Sequence, residues 1–421
     1  LAERAIQPER LLFVDDGCKN SERLCERVAG EMNSILGDEI HGIIISTEPR
    51  SHKAYALWAI ENNLDIFMDK PITTSPISYQ DPTSPQKMYD DYIEMRNALK
   101  RSCSQMIIAC HRREHDGYGF IRDYVTQIVE LHQIPLFYID IFYANGVWDL
   151  PHEFYLRQNH PYKYGYGLLM HSGYHFIDLF AWLLHVNDRL RDRRIDCIET
   201  FARHMMPYEM VHMYGADKYN QLFNTERYTS SSADFNVKRM QNLGETDLFL
   251  MLQAKSQGLG VTNASINLLH NSFSRRASIE GSMVDWTNGK ATHERVSLQV
   301  PNLLNIQTHH YQSSKLEEGV PYGEVGHLDH FDINIFRNAN LIGGKPLETF
   351  RITRDFKNGE QGLKDMELRA KKRMFLDFIQ RRYSASNFLD HDLTIKTLVS
   401  IYECAIKQRR GEIPFASFQT I

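Results

Sequence analysis

Two parts of this chain carry residues whose types and spacing suit proton and hydride chemistry. The first is Ile43-Ile-Ile-Ser-Thr-Glu-Pro-Arg-Ser-His52 together with Ile66-Phe-Met-Asp-Lys-Pro71. Each apolar run stops in a polar loop, and the second stops at an acid, a lysine and a proline. An ammonium group held at a strand end can meet a substrate oxygen and steady negative charge on it. The second part is Gly165-Tyr-Gly-Leu-Leu-Met-His171-Ser-Gly-Tyr-His175-Phe-Ile-Asp178. Positions i, i+4 and i+7 share a helix face, so His171, His175 and Asp178 are predicted to project together. Tyr174, Ile177, Ala181 and Leu184 then form a packed flank. Polar groups on an otherwise apolar helix need partners, and a ligand cleft supplies them. An imidazole there can take the proton that leaves a hydroxyl.

The elements that must position these groups follow from the pattern. Residues 1–114 read as alternating strands and helices, a doubly wound parallel sheet. Its strands are expected at 10–16, 43–46, 66–69 and 105–113, with helices at 21–30, 51–62 and 86–101. Pro76, Pro82 and Pro85 interrupt the text after Lys70. Parallel strands joined by a helix bring their carboxyl-end loops together, where ligands of open α/β sheets bind. Asp15 or Asp16, ending the first strand, suits the acid that grips an adenosine ribose. A carboxylate there favours NAD over NADP; the alternative is a turn acid capping the next helix.

From about residue 116 the pattern changes. A helix (119–131), a strand (135–143) and a helix centred on His175 precede strands at 247–253, 259–268 and 276–280, the last followed by a Gly281 turn. Such alternation predicts an open antiparallel sheet with helices on one face. Residues 392–411 form an amphipathic helix with an acid at its start, bases in its last turn and Gly411 beyond it. Residues 1–114 and 115–421 are thus expected to be two domains. Stretches 201–245 and 305–370 are read as insertions that shape a pocket or a subunit contact.

Bulk properties exclude several classes. A chain of 421 residues with net charge −5 lacks the basic surface of a nucleic-acid binder. No apolar run reaches the roughly 18–20 residues of a membrane span. The six cysteines (Cys18, Cys25, Cys103, Cys110, Cys197, Cys404) are scattered, without a Cys-x-x-Cys pair, as expected of reduced thiols in a cytoplasmic protein. No signal-peptide pattern is visible.

Taken together, the motifs resemble the glucose-fructose oxidoreductase / inositol dehydrogenase (Gfo/Idh/MocA) family. Asp69-Lys70-Pro71 resembles its Glu-Lys-Pro, and the run 105–113, ending Cys-His-Arg-Arg, is similar to the strand that ends Asn-Arg-Arg. The text 165–178 resembles Gly-Gly-x-x-x-Asp-x-Gly-x-His-x-x-Asp, and 392–411 the closing helix. The resemblance implies an α/β fold: an N-terminal Rossmann-like parallel sheet, then a C-terminal α+β domain with an open, mainly antiparallel sheet. It implies an NAD- or NADP-dependent oxidoreductase acting on a sugar, cyclitol or related polyhydroxy compound. Lys70 and His175 would be catalytic, with His171 and Asp178 tuning or relaying. Ser46, Thr47, Glu48, Pro49 and His52 would line the nicotinamide end, with Asp69 on ribose or orienting Lys70. The Lys70–Pro71 bond would be cis. Association into dimers or tetramers through the second sheet is implied as well.

Two departures stand out. His171 occupies the place of an aspartate, so His175 lacks a fixed negative neighbour. Strand 10–16 corresponds to the second strand of that family's sheet, so a first strand with its Gly-x-Gly-x-x-Gly turn, and a third strand, are expected to be omitted from this text rather than lost. Rival readings stay open: an NAD-dependent glycosidase, or a sensor or regulatory protein on the same fold. A zinc site is the disfavoured reading of His171 and His175 with His309, His310, His327, Asp329 and His330, because no glutamate follows His171; no metal is expected. Trp148 and the tyrosines at 155–166 suit core packing, or stacking on sugar rings.

Overall fold

The structure, a computed structural model, describes residues 22–36, 40–74, 76–77, 79, 81–157, 162–279, 289–313, 329–352 and 364–420. Asp15 and Asp16, the strand at 10–16 and the start of the helix at 21–30 lie outside the described residues. So do Glu280 and Gly281.

The parallel sheet contains three described strands, β1 (Gly42–Ile45), β2 (Asp65–Met68) and β3 (Met106–Ile108), in that order. Helix α1 (Glu26–Asn33) precedes them, α2 (His52–Glu61) joins β1 to β2, and α3 (Ser84–Leu99) joins β2 to β3. β-branched residues favour the strands. Ala54, Ala56 and Ala59 let α2 lie close, and eight of its ten residues are buried. Pro85 sits in the first turn of α3, where no amide hydrogen bond is lost. Ile66, Met68, Met106 and Ile108 face the α2/α3 side of the sheet. Phe67 and Ile107 face the other way.

Helix α4 (Asp116–His132) leads into β4 (Tyr138–Ala144) of a nine-stranded sheet. Short helix α5 (Glu153–Leu156), the buried α6 (Tyr174–Leu184) and β5 (Cys197–Met205) follow. Then come α7 (Pro207–Phe223), kinked at Gly215, and α8 (Val237–Met240). The chain continues through β6 (Asp247–Ser256), β7 (Leu259–Leu269), β8 (Ala291–Val300), β9 (Leu304–Ser313), β10 (Asp329–Arg337), α9 (Ala339–Ile342) and β11 (Leu347–Ile352). Helices α10 (Lys364–Ile379) and α11 (Asp392–Arg409) and strand β12 (Phe415–Gln419) close it. The strand order is β11-β10-β9-β8-β4-β7-β6-β5-β12. All neighbours are antiparallel except β4 and β7, which run parallel. The expected α/β class and the two kinds of sheet are present.

Three expectations need correction. Residues 276–279 form no strand; Arg276 there clamps Glu153, at 2.6 and 2.8 Å. The stretch 305–370 is not merely an insertion, because β9 and β10 are interior strands with paired neighbours on both sides. The strand expected over 105–113 ends at Ile108, and His111–Glu114 form a 3-10 turn. In contrast, α7 and α8 do stand apart from the main core. Met210, Val211, Tyr219, Phe235 and Met240 pack with Leu150, Phe154 and Tyr162 as a separate cluster, and Trp148 joins Phe223 at 4.8 Å. Those aromatics therefore pack as core.

Helices α10 and α11 join the two sheets. α11 is buried along most of its length and packs on α3, α6 and β5. Asp392 opens it, Lys407 and Arg409 close it, and Gly411 follows at φ +72°. α10 covers the second face of the parallel sheet: Phe67 meets Phe375 and Phe378 at ring separations of 5.9 and 5.7 Å. Replacing a buried phenylalanine by alanine typically costs about 3–5 kcal/mol. Phe378→Ala is expected to lower unfolding free energy by that order, measured by urea denaturation, and an unchanged midpoint would mean α10 does not dock there.

Candidate active site

A cavity of about 700 Å³ opens where the carboxyl ends of β1–β3 face the second sheet. Ser46, Asp69 and Lys70 line it from the first sheet, His171, Ser172 and His175 from the α6 region. Lys70 crosses between them, its Nζ donating to the main-chain oxygen of His171 at 2.9 Å. Its peptide bond to Pro71 is cis. Burial pushes the Lys70 ammonium below its usual pKa, and the Asp69 charge opposes that shift. The Asp69 carboxylate accepts from the Lys70 amide at 2.8 Å, so it orients the lysine's main chain.

The loop carrying His171 is fixed from beneath. Gly165 has φ +80°, a region costly for side chains bearing a Cβ, and a Cβ on Gly167 would lie 1.8 Å from the Glu245 oxygen. The Glu245 carboxylate accepts from the amides of Gly167 and Leu169 at 3.1 and 2.8 Å. Burial pushes its pKa up to about 7. His171 lies in the turn before α6, not on the helix, so the expected shared face with His175 is not formed. Its ring packs edge-on against Tyr162, centroids 5.6 Å apart, and Tyr166 at 6.3 Å.

His175 is the second residue of α6 and is buried. Its Nδ1 has no hydrogen-bond partner among the described residues. The His111 ring stands edge-on to it, with centroids 4.4 Å apart. Burial holds His175 well below the ordinary imidazole pKa, and the charges of Arg112 and Lys70 push the same way. It is therefore neutral at pH 7 and able to accept a proton.

Asp178 departs from expectation. It is absent from the cavity wall and fully buried. Arg113 grips it with two hydrogen bonds, at 2.9 and 2.6 Å, while His391 lies at 2.9 Å and Thr394 donates at 2.9 Å. Arg113, with His391 after it, holds this carboxyl well below the usual range. Asp178 is a positioning residue that ties α6 to α11. His52 is likewise buried, bridging the main-chain oxygens of Pro71 (2.8 Å) and Thr47 (3.2 Å). It fastens the β1 and β2 loops together and does not line the cavity. Thr47, Glu48, Pro49 and Pro71 are also off the wall. Glu48 instead accepts from Tyr166 at 2.7 Å and from Arg50 at 2.9 Å.

Residues not assigned to the site from sequence complete the wall: His111 and Arg112, noted only as part of a strand-end motif, and Tyr143, Asn145, Arg157, Lys290, Thr292, Glu294 and Glu367 among others. Arg112 pairs with Glu294, which also accepts from Tyr118 at 2.9 Å and lies 3.2 Å from His310. His111 lies 3.5 Å from Glu367 of α10. The basic run at 111–113 was the available signal, since two buried arginines in the turn after a strand need carboxylate partners.

The metal reading weakens. His171 and His175 do not form a helical pair, and His310 is taken up by Glu294 in the interior. His309 is on β9, Asp329 and His330 are on β10, and His327 lies outside the described residues. The buried trio Cys110, Asp178 and His391 has its donor atoms within 4.8 Å, but Arg113 already supplies the positive charge there.

No family model matches the chain, and no curated protein matches it. Solved structures do. An inositol dehydrogenase homolog from Azotobacter vinelandii, complexed with NAD+, aligns with TM-score 0.51 at 11% identity over 93% of this chain and 82% of its own. An oxidoreductase from Agrobacterium radiobacter, in complex with NAD+, L-tartaric acid and magnesium, aligns with TM-score 0.50 at 10% identity over 91% and 80%. The chain shares their fold. At such identity the likeness is one of fold alone, and it agrees with the fold that the sequence motifs imply.

Breaking a buried ion pair by removing one partner costs about 3–5 kcal/mol. Asp178→Ala is expected to destabilise the protein by that order in urea titrations. A loss below about 1 kcal/mol, the size of an exposed pair, would contradict the structural role.

Proposed function

We propose that the chain is an NAD(P)-dependent oxidoreductase that transfers a hydride between a nicotinamide cofactor and a sugar, cyclitol or related polyhydroxy compound. One observation carries this reading: an ammonium group from the parallel sheet and a neutral imidazole from α6 line one cavity at the sheet's carboxyl edge. Residues 1–114 would form the nucleotide-binding domain and 115–421 the substrate domain. Outward-facing Phe249, Met251 and Phe415 on the large sheet are exposed, which supports association into a dimer or tetramer. Among the described residues no helix is long and apolar enough to cross a membrane, and a cytoplasmic location is part of the proposal.

The described residues fit the nicotinamide half of such a cofactor. Ser46 and Asp69 offer polar groups at the strand ends, and Ile44, Ile45 and Phe67 an apolar surface. Asp15 or Asp16 would meet the adenosine ribose, favouring NAD. When bound, the cofactor supplies the hydride acceptor or donor. His175 takes the hydroxyl proton as the carbinol is oxidised, because burial keeps its imidazole neutral and so able to accept one. Lys70 donates to the same oxygen and stabilises its developing charge; burial lowers its pKa and makes it a more willing proton partner. His171 sets the position of Lys70 through its carbonyl.

One positioned base contributes about 10²–10⁴-fold, so His175→Ala is expected to lower kcat by that order with folding intact. Lys70→Ala should be at least as harmful. Normal turnover of both variants on a polyhydroxy substrate would refute the assignment. Oxidation requires His175 neutral and Lys70 charged, so kcat/KM should be bell-shaped in pH. Its acid limb should lie below about 6.5 and its alkaline limb below about 10.4, the unperturbed values. An acid limb above the free imidazole value would contradict the buried, neutral His175.

A further inference from the structure

The turn that carries the His171 carbonyl is held by a residue that no sequence motif marked. Glu245 lies two residues ahead of β6 and is fully buried. It bonds three consecutive residues. Its carboxylate accepts from the amides of Gly167 and Leu169, and its main-chain oxygen from the amide of Leu168 at 3.0 Å. The Leu168 oxygen in turn accepts from the amides of His171 at 3.1 Å and Gly173 at 2.9 Å. The two segments lie close, since a Cβ on Gly244 would stand 2.0 Å from the Tyr166 carbonyl carbon. A chain of hydrogen bonds therefore runs from Glu245 through the turn to the carbonyl that receives Lys70.

A buried carboxylate without a counter-ion is costly. Among the described residues no cationic side chain pairs with Glu245; its partners are amides and the Tyr402 hydroxyl at 3.5 Å, and Tyr79 faces it as well. An apolar side chain would fill the space at lower cost, but it cannot fix the directions of two N–H groups. The carboxylate thus serves the geometry of the turn.

A lysine ammonium has three donors. One rests on the His171 oxygen, which leaves two for a substrate oxygen, aimed according to where that carbonyl stands. The ammonium also faces Asp69 from its own loop, Cys110 and Arg112 after β3, His175 of α6 and Lys371 of α10. Those groups are chemically unchanged in a Glu245 variant, so a shift in the Lys70 pKa reports the carbonyl. Resting on the oxidoreductase reading of this cavity, we propose that Glu245 is a positioning residue of the redox site: through the turn at 167–171 it places the carbonyl that aims the Lys70 ammonium at the reacting oxygen.

The test is Glu245→Gln in the full chain. Glutamine keeps the size but has one acceptor oxygen, and its NH2 would face an amide N–H. Proton uptake by Glu245 does not copy this variant, because a neutral carboxyl keeps acceptor capacity on both oxygens. A hydrogen bond to the charged form of a lysine raises its pKa, so displacing the carbonyl lowers it. The alkaline limb of kcat/KM should move down by about one pH unit, the value of one hydrogen bond to a charged group. kcat should fall about ten- to a hundredfold, as for a misplacement of about 1 Å, with NADH binding by fluorescence unchanged. Glu245→Asp keeps both acceptor oxygens and should recover part of both effects. Competitive acetylation of the folded protein, read by mass spectrometry, gives the Lys70 pKa without turnover and should show the same fall. A Lys70 pKa that stays put in Glu245→Gln would overturn the proposal, even in a less stable variant. Amide exchange in the unaltered protein requires no variant to fold. Gly167 and Leu169 should exchange as slowly as the interior of α6, and fast exchange would also overturn it. A Lys70 pKa that falls in a protein unable to oxidise polyhydroxy compounds removes the redox reading and keeps the tether. Normal redox chemistry with an unmoved Lys70 pKa removes the tether alone.

Discussion

The site depends on one contact across the molecule, the hydrogen bond from the Lys70 ammonium to the carbonyl of His171. Lysine is rarely buried without a partner, because desolvating its charge is costly. A main-chain oxygen gives it a directed acceptor without neutralising it. The same carbonyl belongs to the turn that launches α6, 101 positions along the chain from Lys70. Both sheets must therefore be assembled before Lys70 and the turn ahead of His175 have their surroundings.

The arginines at 112 and 113 show how that assembly is enforced. They are adjacent in sequence and turn to different sides, each meeting its own buried carboxylate. Arg112 secures β8 through Glu294, and Arg113 secures α6 and α11 through Asp178, with further bonds to the oxygens of Ala385 and Asp390. Buried ion pairs add little net stability over apolar packing, yet a broken one is expensive. Pairs of this kind penalise any arrangement in which the second sheet is misplaced relative to the first.

Much of this was legible in the residues. The Ile-rich runs, the Ala-rich helix between them and the Asp69-Lys70-Pro71 stop predicted a βαβ unit, and β1, α2 and β2 fall there within a few residues. The acid, basic and glycine signals at 392–411 marked α11. Less was legible where spacing had to stand in for backbone path. The i, i+4 spacing of His171 and His175 suggested one helical face, but the backbone at His171 is non-helical (φ −89°, ψ −107°) and the helix begins only at Tyr174. Asp178 and His52 had the types of ligand residues, and both are consumed by the interior. Strands β8 to β11 went unread although Pro301-Asn302 and Gly343-Gly344 mark turns between them, because their apolar residues are interleaved with many polar ones.

Local patterns, taken alone, determined the class of fold, the strand-end lysine and the histidine motif, since periodicity and chain-stopping residues act over short distances. Tertiary structure decided which polar groups face the cavity and which are spent on holding it. That choice is made by burial and partner charge, quantities set by residues far apart in the chain, 182 and 65 positions in the two pairs that follow. Glu294 beside Arg112, and Arg113 beside Asp178, illustrate it: no window of sequence contains both members together with the space between them.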